Sequence, residues 1–346
     1  MSRRCPRCQT VYEGEARFCA RDGSPLIEVG GTAASAAQPK KDPNLDSSTL
    51  VRTAVKKAQP VNAIQQAGTL KNQVIDKRYQ VLRRLGEGGM AYVYEAKDYN
   101  TGESVAVKVV TPKLMSDQTA IKRLRREAGL AMRLEHSNVC HIMRLGETED
   151  GLIYLVMPYL AGELLSDREA RDGPMSLDVG IPFLVQMCEG LQHAHGLNII
   201  HRDLKPENVM VVGKGSEEKV VIMDFGLAKD HTSGALQKLT ATGIVLGTPE
   251  FMSPEQVRGQ DVDGRSDIYA LAILGFEMFT GKLPFEGRTA QETMIARLRG
   301  RGRPIREVRP EMPETLERAF LKALEIEPKK RFQNAKEFGE ALAAVK

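Results

Sequence analysis

The run His201-Arg-Asp-Leu-Lys-Pro-Glu-Asn208, with Asp224-Phe-Gly226 starting sixteen residues after Asn208, constrains this chain more than any other feature. It supplies a carboxylate to orient a hydroxyl (Asp203), a lysine for a phosphate (Lys205), and an amide and a carboxylate for Mg²⁺ (Asn208, Asp224). Phosphoryl transfer needs this set, because there a protein mainly positions reactants and neutralises charge. Any one of these residues alone would read as a satisfied loop polar group. Four at this spacing point to chemistry.

The chain has three segments of different chemistry. Residues 1–28 hold three of the five cysteines, and residues 29–75 are poor in aromatics and large aliphatics, the composition of a flexible linker. From 76 the pattern tightens. Tyr79–Leu85, Ala91–Ala96, Glu103–Val109 and Leu152–Met157 read as strands, and the chain beyond 175 as mainly helical. Strands first and helices second predict an α+β protein in two lobes, 76–160 and 161–346.

Leu85-Gly-Glu-Gly-Gly-Met-Ala-Tyr-Val93 joins the first two strands. Gly86 and Gly88 would let backbone amides approach phosphates, though a plain hairpin turn has the same signature. Lys108 lies in a hydrophobic strand, where its stem could simply pack with the head turned to water. On a helix over about 119–134, residues 120, 124, 127, 131 and 134 share a face, and Glu127 is the one charge on it. Such a placement is costly unless the charge is paired.

With these motifs in place, the sequence resembles a bacterial eukaryotic-type (Hanks-type) Ser/Thr protein kinase, with a bilobal fold of β-rich N-lobe and helical C-lobe. The resemblance implies ATP as phosphoryl donor, Mg²⁺ or Mn²⁺ as cofactor, and protein Ser/Thr hydroxyls as acceptors. It makes Asp203 and Lys205 catalytic, pairs Lys108 with Glu127, and assigns Asn208 and Asp224 to the metal. Around the nucleotide it places Leu85, Gly86, Glu87, Gly88, Gly89, Met90, Ala91, Tyr92 and Val93. Ala106, Met157, Leu160 and Met210 would enclose the purine. The loop departs from the family at Ala91, where a third glycine is usual, and Pro158 replaces a residue that is usually acidic. The activation segment would run from Asp224 to Glu255, with Thr240 and Thr242 as autophosphorylation sites facing Arg202, Thr248 beside the catalytic loop, and Glu255 paired with Arg331. Autophosphorylation in trans implies self-association. A scaffold of the same fold that signals by contact is the competing reading; the intact set at 108, 127, 203, 208 and 224 argues against it.

Cys5-Pro-Arg-Cys8 and Cys19-Ala-Arg-Asp22 are spaced as the two knuckles of a zinc ribbon, with Asp22 as fourth ligand. A metal-free, vestigial pair of knuckles stays open beside it. So short a segment needs the metal to fold. The net charge of +4 sits in the linker, where six Lys or Arg face two acids. The ribbon segment itself has little excess charge and few aromatics, which argues against nucleic acid as a partner. The longest apolar run, 268–279, is too short for a bilayer. No apolar stretch follows Met1, so the expected location is cytoplasmic, where an odd cysteine count disfavours disulfides.

Overall fold

The computed structural model describes residues 2–4, 11–13, 27–28, 67–88, 91–225, 249–300 and 302–345. The chain separates into two units, 1–57 and 58–346. In the first, strands β1 (Ser2–Arg4), β2 (Val11–Glu13) and β3 (Ile27–Glu28) pair antiparallel in the order β2-β1-β3. Cys5, Cys8, Cys19 and Asp22 lie outside the described residues.

The second unit opens with an antiparallel six-stranded sheet, β4-β5-β6-β7-β9-β8. Its strands are β4 (Val74–Ile75), β5 (Tyr79–Glu87), β6 (Ala91–Asp98), β7 (Ser104–Val110), β8 (Arg144–Glu147) and β9 (Ile153–Pro158). β7 and β9 are central, and Val105, Val107, Val109, Tyr154 and Val156, at alternate positions along them, are buried on one face of the sheet. The packed lobe begins earlier than the expected boundary at 76. Ala67, Leu70 and Ile75 are buried in the cluster under the sheet, and Tyr94 Oη donates to the Ala67 carbonyl at 2.6 Å. A stretch with few large side chains looked like linker, yet its few apolar groups are the ones that pack.

After the short α1 (Pro112–Met115), α2 (Gln118–Ala131) packs beside the sheet, with Asp117 capping it by accepting from the Thr119 and Ala120 amides. Its buried face runs through Ile121, Leu124, Ala128 and Ala131. The helix is rotated from the face expected through 120, 124 and 127. Glu127 therefore sits half-buried at the edge of the stripe, where its charge keeps part of its water.

The helical lobe starts at a small sheet, β10 (Gly162–Leu164), β11 (Val209–Val212) and β12 (Lys219–Ile222), which carries the catalytic loop on its margin. Helices α3 (Leu165–Asp172), α4 (Leu177–Gly196), α5 (Pro254–Arg258), α6 (Gly264–Thr280), α7 (Ala290–Arg299), α8 (Glu314–Ala323) and α9 (Ala335–Ala343) complete it. Every residue of α6 from Ser266 to Phe279 is buried except Glu277, so the long apolar run is the spine of the lobe. Among the described residues no helix is long and apolar enough to cross a membrane. Gly180 lets α4 approach α6; a Cβ there would stand 2.3 Å from the Phe279 ring.

Candidate active site

The loop between α4 and β11 is held from below by Asp267. This carboxylate, on the first turn of α6, is 1% exposed and accepts from the His201 and Arg202 amides, both at 2.9 Å, and from His195 Nε2 at 2.7 Å. Burial pushes its pKa up, but His195 and the loop amides outweigh that and hold it below the usual carboxylate range. Arg202 has φ of 68°, a left-handed conformation costly for a side-chain-bearing residue. Two bonds impose it: its amide donates to Asp267, and its carbonyl accepts from Gln256 Nε2 at 2.7 Å.

His201 is fully buried. Its Nδ1 accepts from the Asp203 amide at 3.2 Å, so Nε2 carries the proton and donates to the Met223 carbonyl at 2.7 Å. The ring meets Phe225 edge-on at 4.8 Å. One imidazole thus ties the strand leading to Asp224 to the backbone amide of Asp203. Asn208 Nδ2 donates to the Asp203 carbonyl at 2.7 Å, and Lys205 Nζ stands 4.0 Å from Asp203 Oδ2.

Across the cleft, Lys108 on β7 donates to Asp224 Oδ1 at 2.6 Å. Asp224 is itself left-handed, with φ of 60°. Burial raises its pKa, but the charge and hydrogen bond of Lys108 outweigh this and leave it below the ordinary carboxylate value. The lysine pairs with Asp224, a carboxylate on the opposite lobe. Glu127 has contacts of its own.

The structure brings Lys108, Asp203, Lys205, Asn208 and Asp224 into one cleft. Above it, β5 and β6 form the hairpin over the phosphate position. Gly88 donates to the Ala91 carbonyl at 2.9 Å, and Glu87 pairs with Tyr92. A Cβ built on Gly86 would meet nothing within 4 Å, and one on Gly88 only the Ala91 carbonyl oxygen at 3.8 Å, so the backbone of this turn is uncrowded. Ala106 and Met157 are neighbours across β7 and β9, and Val93, Leu160 and Met210 are partly buried beside them. Leu85 is 39% exposed. These apolar groups, open on one side, fit a flat ring. The oxygens of Asn208 and Asp224 are hard donors, a chemical match for Mg²⁺. Gly89, Met90, Gly226, Thr240, Thr242 and Thr248 lie outside the described residues, and the Arg202 side chain is exposed.

Glu255 and Arg331 are buried together, bonded at 2.7 and 2.8 Å, with Ser266 Oγ also donating to Glu255. Sequence reasoning did not single out His195, Gln256 or Arg297 for this region. Arg297 alone left a trace, as a charge between Ala296 and Leu298 on the buried side of α7.

A helical lobe under a curled sheet, with these groups in the cleft between, defines the protein kinase fold. Residues 79–341 match the family model described as "Protein kinase domain", and the chain belongs to that family. It is 38% identical over 278 residues to the serine/threonine-protein kinase pkn3 of Myxococcus xanthus, covering 79% of this chain and 51% of that one. It is 36% identical over 263 residues to the serine/threonine-protein kinase PrkC of Bacillus subtilis, covering 76% and 40%. The chain therefore spans about half or less of these relatives. A crystal structure of the Mycobacterium tuberculosis PknI kinase domain superposes with a TM-score of 0.62 at 27% identity, covering 79% of this chain and 97% of that one.

Proposed function

We propose that the chain is an ATP-dependent protein serine/threonine kinase that also phosphorylates its own activation segment. The observation that supports this most is the convergence of Lys108 and Asp224, from opposite lobes, on the side of the cleft where Asp203, Lys205 and Asn208 lie. Two named relatives are serine/threonine-protein kinases, which agrees with this reading.

In this reading Lys108 holds the α- and β-phosphates, and the amides of the β5–β6 hairpin close over them. Mg²⁺ held by Asn208 and Asp224 would neutralise charge between the β- and γ-phosphates. Asp203 orients the acceptor hydroxyl and takes its proton. Lys205 stabilises the charge that develops on the transferred group, in a cleft where such an interaction is worth more than in water. Glu127 engages Lys108 when phosphates draw the lysine from Asp224. Phosphate on Thr240 or Thr242 docks on Arg202 through charge-assisted hydrogen bonds, and Thr248 sits beside Asp203 and Lys205. Trans-autophosphorylation brings two copies together. The cytoplasm suits buried free thiols at Cys140 and Cys188 and a supply of ATP. Cys5, Cys8, Cys19 and Asp22 form a Zn²⁺ ribbon in 1–28; donor chemistry and spacing support it.

The test is label transfer from γ-³²P-ATP and from α-³²P-ATP with Mg²⁺ or Mn²⁺. The γ label should be incorporated, the α label should not, and Lys108→Met should abolish incorporation. An unlabelled wild-type chain under both metals would favour a scaffold that acts by contact.

A further inference from the structure

The segment 249–258, which spans the end of the activation segment and α5, is fastened at both ends by buried arginines. At its far end Arg331 grips Glu255, an ion pair with a carboxylate partner. Arg297, on α7, grips the near end without one. Its side chain is fully buried, and Nη1 and Nη2 donate to the consecutive carbonyls of Pro249 and Glu250, each at 2.6 Å. Among the described residues it has no ion pair, and its Nε has no hydrogen-bond partner. Burial pushes its pKa down, and Tyr269 and the charge of Glu250 offset that only in part.

The two arginines share one stack. Arg331 lies over the Tyr269 ring at 4.7 Å, Tyr269 is stacked on Phe285 at 6.2 Å, and Arg297 lies 5.4 Å from the Phe285 ring centre. A buried charge with no ion-pair partner is a poor device for stability, because an apolar side chain of similar volume would avoid the desolvation cost. What the guanidinium adds is geometry: a planar fork that fixes two successive peptide carbonyls. The fixed turn, Pro249–Phe251, leads into α5, whose Ser253–Gln256 capping box is complete. Gln256 then bonds the Arg202 carbonyl, next to Asp203.

We propose that Arg297 is a positioning residue for the protein substrate: by fixing the carbonyls of Pro249 and Glu250 it holds the segment that seats the acceptor chain in register with Asp203. This rests on the kinase reading above. ATP contacts lie elsewhere in the cleft, so the effect falls on the protein acceptor.

Arg297→Met keeps the volume and removes the fork; Arg297→Lys keeps the charge but offers one head for two carbonyls. With myelin basic protein as acceptor, Arg297→Met should raise its KM on the order of tenfold while the KM for ATP stays unchanged, and Arg297→Lys should restore only part of the loss. Hydrogen–deuterium exchange, which needs no activity, should show faster exchange across 249–258 in Arg297→Met and unchanged exchange in the centre of α6. An active wild type with equal acceptor KM in all three proteins, or equal exchange across 249–258, overturns the inference. A wild type inactive toward ATP, with faster exchange in the variant, would count against the kinase reading and leave the clamp standing.

Discussion

Single side chains in this protein are placed where charge is either matched or conspicuously unmatched. Asp267 and Asp224 are held ionised by donors aimed at them. Glu169 is the opposite case. Its Oε1 is buried without a partner, as is Oε2 of Glu277, and the two share a cavity of about 320 Å³ with Glu207. Burial, then the charges of Glu277 and Glu207, push the Glu169 pKa up to about 8. A carboxyl whose folded pKa lies above its unfolded one binds more protons in the folded state. Stability then falls as pH rises from the unfolded value near 4.5 through the folded one near 8. Glu169→Gln should remove that slope. Thermal melts of both proteins should nearly coincide at pH 5, with the variant melting higher at pH 8. Parallel curves would show that the cavity does not perturb this group.

At the level of elements, buried polar bonds decide which helix sits against which loop. Glu255 on α5 is pushed up by burial but held low overall by Arg331 and Ser266. Arg331→Met would leave that carboxylate buried and unpaired, at a cost of about 3–5 kcal/mol. Urea unfolding should show a correspondingly lower midpoint with the slope kept, and Glu255→Gln in the Arg331→Met background should recover part of the loss. A midpoint within error of wild type would mean that α5 is held mainly by its cap. The same level shows what sequence periodicity can and cannot tell. The apolar run of α6 announces a buried helix, and the alternation around Lys108 announces a central strand. The buried face of α2 could have been read from the sequence, because Ile121, Leu124 and Ala128 are more apolar than Ala120, Leu124 and Glu127. The Lys108–Asp224 bond is hidden, since the two residues are 116 positions apart and join only when the lobes meet.

Across the whole second unit, the residues that converge in the cleft, Lys108, Asp203, Lys205, Asn208 and Asp224, stood out in the sequence as particular residue types at fixed spacing. Their supports did not. His195, Gln256 and Arg297 are ordinary polar residues whose roles depend on long-range contacts. The start of the unit was also illegible, because Ala67, Leu70 and Ile75 are too few to make a pattern. A chain beginning at residue 77 should be less stable than one beginning at 67 by roughly 3 kcal/mol, given the burial of Leu70 and Ile75 alone. It also loses Asp76, the acceptor for Tyr154 Oη at 2.6 Å and for Arg144 at 2.8 Å. Equal denaturation midpoints would place the true start of the fold after 76.

The most direct test of the central claim separates binding from transfer at Asp203. In the proposed mechanism this carboxylate serves the acceptor hydroxyl, while Lys108 and the β5–β6 hairpin serve the nucleotide. Asp203→Asn should therefore bind Mg·ATP with a Kd within about threefold of wild type, yet lose phosphoryl transfer by a factor of at least about 10², the scale of general acid–base contributions. Phosphoamino-acid analysis of the wild-type product should yield phosphoserine or phosphothreonine. Transfer by Asp203→Asn at the wild-type rate, with nucleotide binding intact, would contradict the account.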